Sequence, residues 1–341
     1  MSFLRDLAQG RTTFDFVGKR MLWFRISAVL VVISLGFLVF RGLNLGIEFR
    51  GGTTINANNP AGATVPDLRE LTDAAGVDGA VIQLVDGGES VRVQTPSLDP
   101  DIESELIDDV ANITGTERAD ISIDSIGPSF GALILRQSMV ALVVFLIAVA
   151  LFMSWRLEWK MAGAGLAALV HDLIITVGIY SITWFEVTPA TVIALLTILG
   201  YSLYDTVVVF DKVTELVADL GERMNYSDIV NRAMNMVLGR SLNTSLTSLL
   251  PVGSVLFVGS FLFGATALRD FALALFVGLA ASTYSSIFVA APILAVWKEG
   301  DEEWISRRRR LAAKSAAAGS VRTGARTASR PNRPRPPKGR R

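Results

Sequence analysis

The 341-residue sequence contains no cysteine and only one histidine, His171. The absence of cysteine excludes disulfides, thiol catalysis and Cys-ligated metals, and one histidine is too few for a His-based metal site. We therefore expect no metal and no cofactor. Charged residues are scarce at 19%, whereas 51% of the residues are hydrophobic and the mean hydropathy is +0.45. This combination indicates a membrane protein.

Six stretches are long and apolar enough to cross a bilayer, which takes about 20 mostly apolar residues per helix. The first has a basic flank, but no small-residue cleavage site follows it, which favours an uncleaved anchor over a signal peptide. The sequence thus predicts an α-helical polytopic membrane protein with six transmembrane helices. The predicted spans are Leu22–Phe40, Leu133–Met153, Met161–Phe185, Thr188–Phe210, Ser241–Phe263 and Phe271–Trp297.

Lysine and arginine collect in the N-terminal flank, in the loops after the second and fourth spans, and in the C-terminal tail. The positive-inside rule therefore places both termini in the cytoplasm and the long first loop outside it. This loop, from Gly42 to Leu135, has 16 acidic residues and 4 arginines. The predicted parts are a cytoplasmic segment (1–21), the first span (22–41), an extracytoplasmic domain (42–132), spans two to six with a cytoplasmic loop at 211–240 (133–300), and a tail (301–341).

Strand and helix patterns alternate within the long first loop. GTTINA predicts a strand, and TVPDLRELTDAAGV predicts a helix with Thr64 as its N-cap. AVIQLV and SVRVQT flank DGGE, which predicts a hairpin. SLDPDIESELIDDVANIT predicts a second helix and ADISIDSIG a final strand. The order βαββαβ is the ferredoxin-like arrangement, so we expect a small sheet with two helices on one face.

The end of the chain is strongly basic, with 13 lysines or arginines and no acid from Arg307 to Arg341. From Ala312 onward it consists mainly of Ala, Gly, Ser, Arg and Pro, without apolar periodicity, which predicts disorder. Two interpretations remain open: a solvated topology anchor, or a segment that contacts anionic lipid or ribosomal RNA.

One carboxylate lies deep in the fourth span. Thr197, Tyr201 and Asp205 share a helix face, with Tyr204 beside them. At 1.5 Å per residue, Asp205 lies about 25 Å from the outer start of the helix. Inserting a charge there costs about 2.5–3.5 kcal/mol, so such a residue is a functional hypothesis by default. The alternative is a structural ion pair with Arg240.

The neighbouring spans carry more polar residues. His171 and Asp172, near the middle of span three, form either a functional pair or a structural one. Serines and glycines of span six predict close helix contact. An intramembrane serine hydrolase using His171 is an alternative, although no serine has a recognisable nucleophile setting. The polar residues that we predict to support Asp205 are Tyr201, Tyr204, Thr197, Asn243, Thr244, Thr247, His171 and Asp172.

Several motifs taken together resemble the SecD/SecF family of protein-export membrane subunits, which are relatives of the RND transporters. GIEFRGG (Gly46–Gly52) and SIGPSFG (Ser125–Gly131) resemble the motifs that open and close the family's outer domain. HDLIITVGIYS, GYSLYDTVVVFDK, RSLNTSLTSLLP and LRDFALALFVGLAASTYSSIFVA resemble its spans three to six. The chain departs from the family at Glu48, usually Asp, at Tyr204, often Asn, and in its long basic tail.

The resemblance implies a non-enzymatic subunit that pairs with SecD, a related six-span chain, to form a unit like a twelve-span RND transporter. Such a pair joins the SecYEG channel and uses the proton-motive force to promote late steps of protein export after SecA has acted. SecA, YajC, the unfolded polypeptide in transit and membrane lipids are further expected partners. The implied location is the bacterial plasma (inner) membrane.

The resemblance also implies roles for particular residues. The family's proton-pathway Asp falls on Asp205, and its pathway Arg falls on Arg240. The motif residues are expected to act as hinges or as tight turns. The alternative within the same superfamily is a small RND-type proton-driven exporter of lipids or drugs. The motif residues concerned are Gly46, Gly51, Gly52, Gly127, Pro128 and Gly131.

Overall fold

The computed structural model describes residues 12–259 and 266–313. Within them, six helices are long and apolar enough to cross a membrane, as the sequence predicts. The last two spans include π-helical turns, at Val255–Gly259 and Ser286–Ala290. The spans, numbered one to six, are Arg20–Phe40, Pro128–Arg156, Trp159–Thr183, Pro189–Leu220, Tyr226–Gly259 and Arg269–Glu299.

Spans three and six form the centre of the bundle. About 56% of the apolar window of each is buried, against 39% for span four and 11% for the others. Lipid gives no hydrophobic drive for helices to associate, so close packing at small residues holds them together. Gly178 of span three is one such contact, because a Cβ there would lie 2.8 Å from the Cα of Ser34 in span one.

The fourth and fifth spans extend beyond their predicted ends. The region 211–240, predicted as a cytoplasmic loop, is helical up to Leu220 and again from Tyr226. The first part of this region is an amphipathic helix, whose many charged residues led to its prediction as a loop. Val213 and Leu216 are buried on one face, while Lys212 pairs with Glu215 one turn later at 2.6 Å. Only residues 221–225 connect the two long helices.

Four ion pairs hold neighbouring helix ends together at one end of the bundle. They join the start of span one, the turn between spans two and three, the extension of span four and the end of span six. These elements therefore lie on the same side, as six alternating spans require. The pairs are Arg20–Glu299, Arg156–Asp211, Lys160–Asp301 and Lys298–Glu158.

A short segment before span one lies against the extension of span five. The Phe14 N–H donates to Asn235 Oδ1 at 2.8 Å, and Asn235 Nδ2 donates back to the Phe14 carbonyl at 2.8 Å. The Phe16 N–H donates to Asn231 Oδ1 at 2.7 Å, and the Phe16 ring is buried. This contact ties the chain before span one to span five. The predictions for 1–11 and for the tail from 314 onward lie outside the described residues.

The region after span one begins with a two-residue strand, β1 (Asn44–Leu45), and a short helix, Ile47–Arg50. Strands β2 (Gly52–Asn58), β3 (Val81–Val85), β4 (Ser90–Thr95) and β5 (Ser122–Ile126) follow. They form an antiparallel sheet in the order β3-β4-β2-β5. Helices α1 (Val65–Ala74) and α2 (Pro100–Thr114) complete the predicted βαββαβ fold.

This domain has its own apolar core. Ile55 and Val93 of the sheet are fully buried against Leu68 of α1 and Leu106 of α2. Thr64 caps α1, as predicted: the Asp67 carboxylate accepts from the Thr64 N–H at 2.9 Å and its hydroxyl at 2.6 Å. These hydrogen bonds lower the pKa of Asp67. A separate core and a closed capping box indicate a locally stable unit.

A second small sheet joins this domain to the membrane bundle. Strand β1 pairs in parallel with β6 (Glu186–Val187), which lies in the turn between spans three and four. The Gly46 N–H also donates to the Val187 carbonyl at 3.0 Å. The chain entering the domain is therefore fixed to the opposite end of the bundle from the ion pairs.

Candidate functional site

Asp205 lies between spans four and five and is half-buried. The hydroxyl of Ser241, in span five, lies 2.5 and 2.6 Å from its two carboxylate oxygens and donates to them. Ser241 is itself 2% exposed. Asp205 is therefore held by a neutral donor, which can bond to either protonation state of the carboxyl group.

Arg240 does not form the predicted ion pair with Asp205 in this structure. Its Nη2 instead donates to the Tyr204 hydroxyl at 2.9 Å. Consecutive helix residues point about 100° apart, so Ser241 faces the carboxylate while Arg240 lies on the exposed side. Arg240 thus lies close to Asp205 but bonds to Tyr204, the residue that precedes Asp205 in the chain.

The predicted supporting threonines bond to their own helices. The hydroxyls of Thr197, Thr244 and Thr247 donate to carbonyls one turn earlier at 2.8, 2.9 and 2.9 Å. None of these bonds reaches Asp205, and Asn243 lies on the exposed surface. Of these four residues, only Thr244 lines the cavity next to Asp205, and none bonds to the carboxylate among the described hydrogen bonds.

A small cavity of about 30 Å³ borders the carboxylate. Its walls come from spans four, five and six, and most of the residues that form them carry a hydroxyl group. This volume is large enough for a water molecule, which needs roughly 10–15 Å³ and several polar partners. The cavity therefore has room for a water molecule beside Asp205. The lining residues are Tyr201, Tyr204, Asp205, Thr244, Ser245, Ser248, Leu279, Ser282 and Thr283.

The structure reveals a second carboxylate site at Asp172, which is fully buried. Its Oδ2 accepts hydrogen bonds from Ser202 of span four at 2.7 Å and from Ser285 of span six at 2.8 Å. Its Oδ1 lies 3.3 Å from Nδ1 of His171. Both serines bond to Asp172, so the hydrolase alternative lacks the Ser–His contact that it needs among the described residues.

The site residues predicted from the sequence do not include Ser202, Ser241 or Ser285. Serines in membrane helices usually serve as packing residues, so the sequence alone does not distinguish these three from the others. The only signal for Ser202 was its place three residues before Asp205 on one helix face, and this spacing does not reveal its partner, Asp172. The partner serines on the other spans could not be identified without knowing how the helices are rotated.

The two glycine motifs cross each other at the base of the outer domain. A Cβ at Gly51 would lie 2.8 Å from the Pro128 nitrogen, and a Cβ at Gly131 would lie 2.8 Å from the Gly51 nitrogen. Gly51 and Gly52 also have φ values of +78° and +138°. Close approach and backbone conformation both require glycine here. Gly127 is the N-cap of span two, and the hinge role stays a prediction.

A polar cavity of about 520 Å³ lies between the outer domain and the bundle, and the sequence did not indicate it. Burial raises the pKa of Glu48, and the like charges of Glu186 and Asp270 add to this effect. Gln94 of the sheet donates to Glu186 at 2.7 Å. The cavity therefore brings together acids from the first motif, from the turn between spans three and four and from span six, next to the sheet of the domain. Asp124 and Arg92 also line it.

Six spans around buried carboxylates, with a ferredoxin-like domain after the first span, define a polytopic membrane protein of the transport class. Two family models match its sequence. "Protein export membrane protein SecD/SecF, C-terminal" matches residues 106–300, and "SecD/SecF GG Motif" matches residues 36–56. The chain belongs to the SecD/SecF family of protein-export membrane proteins.

Individual relatives agree with this assignment. The chain is 40% identical to the protein translocase subunit SecF of Streptomyces coelicolor, over 91% of this chain and 83% of the relative. It is 34% identical to SecF of Calditerrivibrio nitroreducens, over 87% of this chain and 98% of the relative. A crystal structure of SecDF, a translocon-associated membrane protein from Thermus thermophilus, superposes with a TM-score of 0.77 at 33% identity. That match covers 85% of this chain but only 39% of the SecDF chain.

Proposed function

We propose that this chain is the SecF-type half of a proton-driven protein-export unit and works with a SecD-type chain. The unit uses the proton-motive force to promote late steps of export through SecYEG, after SecA has acted. It is non-enzymatic, because proton movement drives helix motion without breaking a bond in the exported chain. The names of the relatives support the export role, and the 39% coverage of the SecDF chain leaves room for a second half.

The observation that carries this proposal is a polar face on spans four and five. Tyr201 and Tyr204 are 49% and 54% exposed, and Arg240 and Asn243 lie beside them on the surface. A charge facing lipid at the centre of a helix costs about 2.5–3.5 kcal/mol. A second protein surface must therefore cover this face in the membrane. We assign that surface to the SecD-type partner.

Asp205 is suited to act as the proton carrier at this face. It bonds to the neutral hydroxyl of Ser241. Arg240 lies within one residue of that hydroxyl, and its guanidinium bonds only to Tyr204 among the described residues. Loss of a proton from Asp205 would draw Arg240 toward it. Moving one charge through 100 mV yields about 2.3 kcal/mol. A hydrogen bond to a charged group is worth about 1.5–3 kcal/mol, so the field can drive an exchange of partners.

The proposed location is the bacterial plasma membrane, with both termini in the cytoplasm and the ferredoxin-like domain outside. The support is the basic character of the end where the ion pairs gather, together with the acidic character of the domain at the other end. Protons would then enter from the side of the 520 Å³ acidic cavity and leave past Asp205.

The test is Asp205→Asn in membrane vesicles that contain the SecD-type chain and SecYEG. We expect the variant to co-purify with its partners but to lose the part of export that depends on the proton gradient. Asp211→Asn is the matched control, since it makes the same change six residues later at an exposed ion pair with Arg156. Normal gradient-dependent export by Asp205→Asn would refute the proposed role of this residue.

A further inference from the structure

Asp172 is the most completely buried carboxylate in the described bundle, and the proton path proposed above does not use it. It has no exposed surface, and its hydrogen-bonding partners come from three different spans. We propose that Asp172 and His171 together form a second proton-binding site, inside this chain and coupled to Asp205. This inference rests on the proposed proton-driven function and assigns a further residue pair to it.

The charges around Asp172 show why a proton is the expected ligand. Among the described residues, its only ion-pair partner is His171. Span four contributes Asp205 and span six contributes Tyr284. Spans one and two contribute no ionisable side chain over 26–40 and 137–155. With one proton on Nε2 and a second shared between Oδ1 and Nδ1 the pair is neutral overall, whereas with a single proton, on Nδ1, it carries one negative charge.

The hydrogen bonds of Asp172 fit both of these states. In the deprotonated state, the hydroxyls of Ser202 and Ser285 donate to Oδ2 and stabilise the charge. In the neutral state, the proton lies between His171 and the other oxygen. The Nε2 of His171 is buried and has no hydrogen-bonding partner among the described residues. A proton that binds at Nε2 while the Nδ1 proton passes to Asp172 takes the pair from one negative charge to neutral.

A π-helical turn lies between the two carboxylates. Ser285 ends the α-helix and bonds to Asp172, and Ser286 begins the π-helical turn and bonds to Thr206 at 3.2 Å. Thr206 is the neighbour of Asp205 in span four. π-Helical turns are rare in proteins, and those that occur are often found at functional sites. At the start of this turn, consecutive serines therefore contact Asp172 and the residue next to Asp205, which provides the physical link between the two carboxylates.

The charge of His171 also affects span one. Its ring stacks on Tyr284, with centroids 6.0 Å apart and planes at 28°. The Tyr284 hydroxyl donates to the Trp23 carbonyl at 3.2 Å and lies 3.1 Å from the Ser27 hydroxyl. A proton on the imidazole would change this stacking. The protonation of the pair is therefore coupled to the packing of span one against spans three and six.

Because His171 is the sole histidine, its imidazole can be observed without ambiguity. The experiment is nuclear magnetic resonance of the full chain, labelled at histidine, in lipid nanodiscs and with a tag free of histidine. We expect the His171 signals to titrate. We expect the midpoint to shift strongly in Asp172→Asn, to shift less in Asp205→Asn, and to stay unchanged in Asp211→Asn.

Measurements of export by the two variants distinguish a failure of the second proton site from a failure of the proposed function. Asp172→Asn keeps an oxygen that accepts from Ser202 and Ser285, so we expect a folded, assembled variant that has lost gradient-dependent export. Normal export by this variant, alongside inactive Asp205→Asn, would overturn the second site alone. If Asp172→Asn does not fold, the wild-type titration decides: a His171 signal that is constant across pH would equally overturn the inference. Normal export by Asp205→Asn would instead remove the proposed function.

Discussion

Replacing Gly178 with alanine tests how closely span one must lie against the centre of the bundle. A Cβ at this position would lie 2.8 Å from the Cα of Ser34 and still nearer to the Ser34 side chain. The Cα belongs to the backbone, so rotation of a side chain cannot relieve the collision. We expect the helices to separate locally and the free energy of unfolding to fall by about 1–3 kcal/mol.

The chain offers a matched control in Gly36→Ala. Gly36 lies in span one, two residues from Ser34, and a Cβ there would meet no atom within 4 Å. Alanine is favoured over glycine inside helices by up to about 1 kcal/mol, so the control should be neutral or slightly stabilised. The two variants therefore differ in the sign of their effect, although the chemical change is identical.

The measurement is thermal or denaturant unfolding of the purified chain in nanodiscs. Hydrogen exchange over span one shows where the packing is lost. Ser34→Gly in the Gly178→Ala background should restore part of the stability, because it removes the side chain that the new methyl meets. Equal melting of Gly178→Ala and wild type would refute the close contact, and simple additivity of the two changes would show that these residues do not touch.

Burial raises the pKa of Glu48 above its ordinary value of 4.5, so the folded state keeps this proton to a higher pH than the unfolded chain does. The protein therefore loses stability as the pH rises from the pKa of the unfolded state to that of the folded state. Glu48→Gln should abolish this pH dependence and raise the melting temperature at neutral pH, and an unchanged profile would contradict the assignment. Asn235→Ala should expose Phe14 to limited proteolysis and lower stability by roughly 1–3 kcal/mol, because the Phe14 N–H loses the Asn235 acceptor and the Phe14 carbonyl loses one of its donors. Arg240→Ala should impair gradient-dependent export while Asp205 is intact, and export at the wild-type rate would exclude the exchange of partners. A fragment spanning Thr53–Ser125 should show a cooperative melt with mixed α/β circular dichroism, whereas a disordered spectrum would show that the domain needs its anchor.

The large elements could be predicted because each has a strong local signal. Membrane spans require about 20 apolar residues, and strands such as SVRVQT alternate with a period of two. Thr64 was identifiable as a cap because the acid three residues later completes a capping box. Asp205 stood out because a carboxylate is rare in an apolar helix. In these cases, one segment of sequence contains all the information that is needed.

The contacts of the site could not be predicted in the same way, because they depend on how separate helices are rotated. Ser241, and not Arg240, faces Asp205, and a rotation of about 100° per residue decides which one does. The acidic cavity combines Glu48, Glu186 and Asp270, which are far apart in the sequence. The helical extensions over 211–240 were missed because charged amphipathic helices resemble loops in composition.

The π-helical turn at Ser286–Ala290 has a consequence for how this span tolerates insertions and deletions. A π-helical turn contains one residue more than an α-helical turn. Deleting one residue there would regularise the helix and keep the faces on either side in phase. The same deletion elsewhere in the span would rotate everything beyond it by about 100° and bring lipid-facing residues into the bundle. This turn is therefore the position in span six at which the length of the chain can change while the surfaces on both sides are preserved.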